Sequence, residues 1–126
     1  MKNFIIITNN PLSAQNNVSD TLYYADADIL GILFAVRKKI HCGHALATHP
    51  LTSSLKPNET PYKTVLLYKK QGSLCTDSLH LIESAIAVTE KFMAQRPKRE
   101  WRRYPPNILS DLSTIDYEMV RPILEG

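Results

Sequence analysis

The apolar positions of this chain change period from one segment to the next, and each change marks an element. Phe4, Ile5, Ile6 and Ile7 form an unbroken apolar run closed by Thr8, Asn9, Asn10 and Pro11. A run without alternation fits a strand covered on both faces, so it predicts a central strand. Residues 22–24 carry a second, weaker strand signal, reached through a polar connection, 13–20, that reads as loop or short helix. Then the period changes: Ile29, Leu33, Val36 and Ile40 recur at spacings of four, three and four, with Leu30 and Phe34 beside them. This is one face of a helix. Asp26 or Asp28 can cap its first amides, Arg37, Lys38 and Lys39 suit its negative end, and Gly43 supplies the residue that stops it. Gly31, inside the pattern, implies close packing.

Residues 45–48 are short and apolar enough for a buried strand, and Val65, Leu66, Leu67 and Tyr68 give another, with Gly72 marking a turn after it. A second helix, capped at Thr76 or Asp77 and running to Gln95, shows a stripe of Leu79, Ile82, Ile86, Thr89 and Met93. Leu81, Ala85, Val88 and Phe92 widen it, so this helix should lie between the sheet and another surface: the C-terminal segment or another subunit of a homo-oligomer. Prolines 97, 105 and 106 make 96–107 an irregular crossing. Beyond it, 109–124 offers a helical stripe of Leu112, Ile115, Met119 and Ile123, with Pro122 limiting its end.

Strands alternating with helices predict an α/β fold, a Rossmann-like three-layer sandwich with a mainly parallel sheet, in one domain over 1–126. Composition agrees with a single globular unit: 126 residues, 44% hydrophobic and 21% charged. No stretch approaches the roughly 20 apolar residues of a membrane span and no signal-peptide pattern opens the chain, so a cytoplasmic protein is expected. Cys42 and Cys75 form no paired motif and read as reduced thiols.

In a parallel α/β sheet, ligands bind outside the carboxyl ends of the strands. That rule selects Thr8, Asn9 and Asn10 after the first strand and the long polar loop 48–62 after 45–48. The strand end offers a hydroxyl and two amides, suited to a carboxylate, phosphate or peptide group, or equally to a turn into Pro11. In the loop, Thr52, Ser53, Ser54 and Lys56 offer hydroxyls and a cation for an anionic group, while the turn through Asn58 and Thr60 would hold Glu59 and Tyr62 in place. His49 and Glu59 would serve as general acid and base if they met in space; a histidine before a proline also commonly bonds backbone, and binding without turnover is the favoured alternative. His41, His44 and His49 lack a recognised metal-ligand spacing, and no glycine-rich phosphate motif is present, so neither metal nor nucleotide cofactor is expected.

The net charge is only +3, yet Arg96, Lys98, Arg99, Arg102 and Arg103 cluster around Trp101 and Tyr104. A solvated linker is the commoner meaning of such a run, and stacking on nucleic acid is the weaker of its functional uses. A partner-docking site at Arg99, Trp101 and Arg102 is the stronger, since tryptophan and arginine anchor interfaces.

Two stretches, "IITNNP" from Ile6 and "HPLTSSLKPNETPYKTV" from His49, resemble the GrdX family, small proteins encoded alongside the glycine reductase system of amino-acid-fermenting anaerobes. The similarity runs over most of the chain, with one departure: Ser53 stands where the family pattern has glycine. The resemblance implies a genetic setting, with glycine reductase system proteins as partners, and not a mechanism. Within that setting the residues support three readings: an accessory protein binding a small anionic metabolite or partner segment, a small acid–base enzyme, and an assembly factor acting through the basic segment.

Overall fold

A computed structural model describes residues 3–15, 20–51, 55–95 and 100–126. Strand β1 (Phe4–Thr8) leads through the short helix α1 (Pro11–Ala14) to strand β2 (Asp20–Tyr23) and helix α2 (Ile29–His41). Strand β3 (Thr64–Tyr68) and helix α3 (Thr76–Gln95) come next, then a single 3-10 turn (Trp101–Arg103) and helix α4 (Pro106–Glu125). The sheet has the order β2-β1-β3, with β1 parallel to β2 and antiparallel to β3.

This mixed three-stranded sheet replaces the mainly parallel Rossmann-like sandwich expected from the alternation of elements. The difference arises after α2. Residues 45–48 lie beside β3 and are tied to it by an isolated antiparallel bridge, Leu46 to Leu67. Hydrogen bonds from Ala47 N to Leu66 O (2.8 Å) and from Tyr68 N to Ala45 O (2.8 Å) flank that bridge. The chain leaves 45–48 through a loop and not through a crossover helix, and a loop returns it antiparallel. Segment 45–48 and β3 therefore form a wide hairpin, and 45–48 runs in the same sense as β1 without pairing with it. Its long connection emerges at the end of the sheet where β1 stops.

The unbroken apolar run of β1 is explained by cover on both faces. Ile5 and Ile7, with Val65 and Leu67 opposite, point into the larger core with Ile29, Ile32, Leu33, Val36 and Ile40 of α2 and Ile82, Ala85 and Ile86 of α3. Ile6 and Leu66 point the other way, onto Val120 and Leu124 of α4. The caps expected for α2 are present: Asp28 Oδ1 accepts from Gly31 N at 2.8 Å, and Gly43 ends the helix with φ at 101°. A Cβ on Gly31 would sit 3.1 Å from that of Ala27, the close packing anticipated there.

Two helices differ from their apolar patterns. The outer part of the α3 band stays uncovered, with Leu81 and Val88 exposed. On α4 the buried positions are Ser113, Asp116, Val120 and Leu124, one step round from the expected stripe, and Ile108 and Ile123 are 41% and 40% exposed. The helix turns a partly polar face inward because the sheet presents polar partners there. Pro122 lies inside α4, near its end, and does not terminate it. No described helix is long and apolar enough to cross a membrane.

The two turn glycines provide a direct test of this geometry. A Cβ on Gly43 would run into the Gly72 carbonyl, whereas one on Gly72 would meet nothing within 4 Å. Gly43→Ala should therefore lower stability by about 1–3 kcal/mol in urea unfolding, and Gly72→Ala should leave it within about 0.5 kcal/mol. Equal effects of the two substitutions would contradict the placement of the 43–72 contact.

Candidate functional site

At the carboxyl end of β1 the sheet changes from apolar to polar. Thr8 pairs with Thr64 across the strands, and their hydroxyls lie 2.8 Å apart on the face that α1 and α4 cover. Thr64 donates from Oγ1 to Asp116 Oδ2 at 2.6 Å and from its backbone N to Asp116 Oδ1 at 3.1 Å, and its hydroxyl also bonds Ser13 Oγ. Asn10 joins from β1's exit: Nδ2 donates to Asp116 Oδ2 and to the Ser113 carbonyl, both at 2.9 Å, and Oδ1 accepts from the Ser113 hydroxyl and from Leu12 N. Asn10 is thus wholly occupied in capping α1 and holding α4. It faces no open space.

Asn9 turns to the other side and does the corresponding work there. Its Nδ2 donates to the carbonyls of Ala27 and Pro61, each at 2.8 Å, and its Oδ1 accepts from Lys63 N at 2.9 Å. One amide thereby ties together the end of β1, the entry to α2 and the end of the long loop. Thr8 adds a bond to the Lys63 carbonyl. The two polar stretches picked out from the sequence do meet.

Within the loop, side chains fold back on their own backbone. His49 is exposed, and its Nδ1 accepts from Leu51 N at 3.1 Å, which leaves the ring proton on Nε2. Glu59 Oε1 accepts from Lys56 N at 2.8 Å while Glu59 N donates to Lys56 O, a tight reciprocal turn. No described hydrogen bond or ion pair joins His49 to Glu59. Lys56 holds its ammonium 5.9 Å from the centre of the Phe92 ring. Thr60 Oγ1 accepts from Tyr62 N. Thr52, Ser53, Ser54 and Arg99, and the side chain of Arg102, lie outside the described residues.

Two hollows take some of the expected site residues, while Thr8, Asn10, Lys56 and Glu59 line neither. The larger, about 1100 Å³, is walled by Asn9, by Ala25 to Ile29 at the start of α2, by Asn58, Thr60, Pro61 and Tyr62 of the loop, and by Glu100, Trp101 and Arg103. The smaller, about 230 Å³, takes His49 with Thr48, Thr64, Met119 and Ile123. Loop residues and Trp101, which the sequence suggests as separate binding and docking surfaces, thus share one cleft. Trp101 meets Tyr104 in a tilted contact, with ring centres 4.8 Å apart and planes at 47°. Asn58 belongs to the cleft wall, and its Oδ1, buried beneath the surface, has no hydrogen-bond partner among the described residues.

Electrostatics point to two residues that sequence reasoning passed over, Asp116 and Lys63, which are 7% and 5% exposed. Burial pushes the Asp116 carboxyl above the ordinary aspartate range, and bonds from Thr64 and Asn10 and the charge of Lys63 pull partly back. Burial lowers Lys63, with Asp116 opposing. Tyr62 is raised, first by burial and then by Tyr23, so its phenol stays neutral.

The sequence model of one protein family, described as GrdX-like protein, matches residues 5–125. The chain belongs to this family. No curated protein and no solved structure matches it. For this GrdX-family chain the family match spans both hollows and the buried network alike.

Two tests address the network. Asn9→Ala strands three backbone groups and should cost about 2–4 kcal/mol in chemical unfolding; a loss under about 0.5 kcal/mol would show that the described bonds hold little. Because the folded-state pKa of Asp116 is raised, its contribution is full below the ordinary aspartate pKa and fades as pH rises through the folded value. Relative to Asp116→Asn, the native chain should therefore gain stability as pH falls from about 7 to about 4.5. A gap that stays constant or shrinks on acidification would contradict the sign of the shift.

Proposed function

We propose that this chain is an accessory protein of the glycine reductase system that binds a small molecule, or an extended partner segment, in the larger cleft. The family membership supports the setting. The observation that carries the binding reading is the gathering in one hollow of Asn58, Thr60 and Tyr62 from the long loop with Trp101 from the 3-10 turn. Clefts of this size, with mainly apolar walls and a few fixed polar groups, suit small ligands. Asn9 fixes the frame, since it pins the α2 entry against Pro61.

Binding is preferred to acid–base catalysis because His49 and Glu59 have separate backbone partners and neither lines the larger cleft. Docking of partner proteins through Arg99, Trp101 and Arg102 is compatible with the same cleft, since Trp101 forms part of its wall. A ligand could then control that docking.

The test is metabolite retention. The full chain, incubated with a deproteinised extract of glycine-fermenting cells and desalted, should retain a compound detectable by mass spectrometry. Tyr62→Ala and Trp101→Ala should reduce retention about tenfold or more, while His49→Ala leaves it unchanged. Loss of retention in His49→Ala alone would move the site to the smaller hollow, and no retention by the native chain would remove the small-molecule reading.

A further inference from the structure

We infer that the outer face of α4 is a docking groove for an amphipathic helix of a partner protein, one with an apolar stripe and a basic flank. This surface lies apart from the larger cleft and does not depend on the reading given for it. Ile108, Leu112, Ile115, Met119 and Ile123 recur at spacings of four, three, four and four, which sets them in one row along the helix. The sheet does not take this row, because Asp116 holds α4 with Ser113, Val120 and Leu124 inward, about a quarter-turn away. The end isoleucines are exposed and the three residues between them are half-buried. Single exposed apolar side chains are ordinary; a continuous row about 22 Å long marks an interaction surface. None of the runs outside the described residues exceeds four residues, about 14 Å when extended, so none of them can lie along it.

The row has a second wall. Ala47, Thr48 and His49 stand across from Met119 and Ile123, and the hollow between them, about 230 Å³, has room for one large side chain. A helix laid along α4 would seat its anchor residue there. Charge decides what that helix is. Asp111 and Glu118, both exposed, each sit three residues after an isoleucine of the row, and Glu125 continues their line seven residues on. Arg121 pairs with Glu118 at 2.8 Å and with Glu125 at 2.9 Å from the side away from the row. Apart from the inward Asp116 these are all the charged residues of 111–125, three carboxylates to one guanidinium, so the rim of the row is acidic. His49 is the titratable group of the opposite wall. Two copies packed antiparallel through the row would bring their acidic rims face to face, which opposes self-pairing. A helix with lysine or arginine beside its stripe meets the rim as its complement.

The full chain is titrated into three fluorescently labelled peptides of about sixteen residues. One is a Leu/Lys helix former with its leucines on one face, one is its Leu/Glu counterpart, and one has the Leu/Lys composition in an order that breaks the face. A saturable anisotropy change with the first, at least about tenfold tighter than with either of the others, is expected. Ile108→Asp and Ile123→Asp, at exposed positions on opposite ends of the row, should each weaken it about tenfold while circular dichroism stays native. Glu118→Lys should move the preference severalfold toward the Leu/Glu peptide. Equal binding of the disordered-face peptide, a preference that Glu118→Lys leaves in place, or no saturable binding overturns the inference. A chain that is dimeric by light scattering at about 10 μM and becomes monomeric in Ile123→Asp overturns it too, and assigns the row to a second copy.

Discussion

The Asp116 carboxylate is the point on which the arrangement of this protein depends. It is buried, and both of its oxygens are used: one accepts from Thr64 N, the other from Thr64 Oγ1 and Asn10 Nδ2. Those donors come from β3 and from the turn after β1, so one side chain on α4 fixes where the two strands end relative to the helix that covers them. Bonds to a charged group contribute about 1.5–3 kcal/mol each, and withdrawing the acceptor would strand every donor in a water-poor space. The apolar contact behind it is small, with Ile6 and Leu66 against Val120 and Leu124. The polar contact therefore sets the rotation of α4, and that rotation turns Ile108 and Ile123 outward.

Local pattern was enough for most elements, because each of them is stabilised by a one-sided or two-sided apolar surface that period alone reveals. The helical stripe of Ile29, Leu33, Val36 and Ile40 matches the buried face of α2, and the run from Phe4 to Ile7 matches a strand covered on both sides. The direction of β3 was not legible. Strand sense is decided by what connects the strands, and the loop before Thr64 contains no apolar period from which its path could be read. The α4 stripe was misread for a related reason: hydrophobicity ranks Leu112 and Met119 above Ser113 and Asp116, and only the sheet's threonines reverse that order.

The site divides along the same line. Thr8, Asn9 and Asn10 were visible as unusual residues at a strand end, but their amides serve the fold, Asn10 by capping α1 and Asn9 by joining three segments. Loop residues Asn58, Thr60 and Tyr62 do reach an open cleft. Asp116 and Lys63 were missed because each sits in a segment whose neighbours read as ordinary helix or strand. One signal was available: two threonines, Thr8 and Thr64, each border an apolar quartet, and two hydroxyls meeting across buried strands require a polar partner from a third element.

The wide hairpin has a consequence for divergence. Both ends of its connection are fastened by groups outside the loop, at Leu46 and Ala47 on one side and at Lys63 through Asn9 and Thr8 on the other. Closing such a loop costs only about 0.6 kcal/mol more for each doubling of its length. Insertions, deletions and new side chains between Thr48 and Thr60 can therefore accumulate with little penalty to the sheet, so the length and surface of the loop are free to drift while the frame that presents it stays the same.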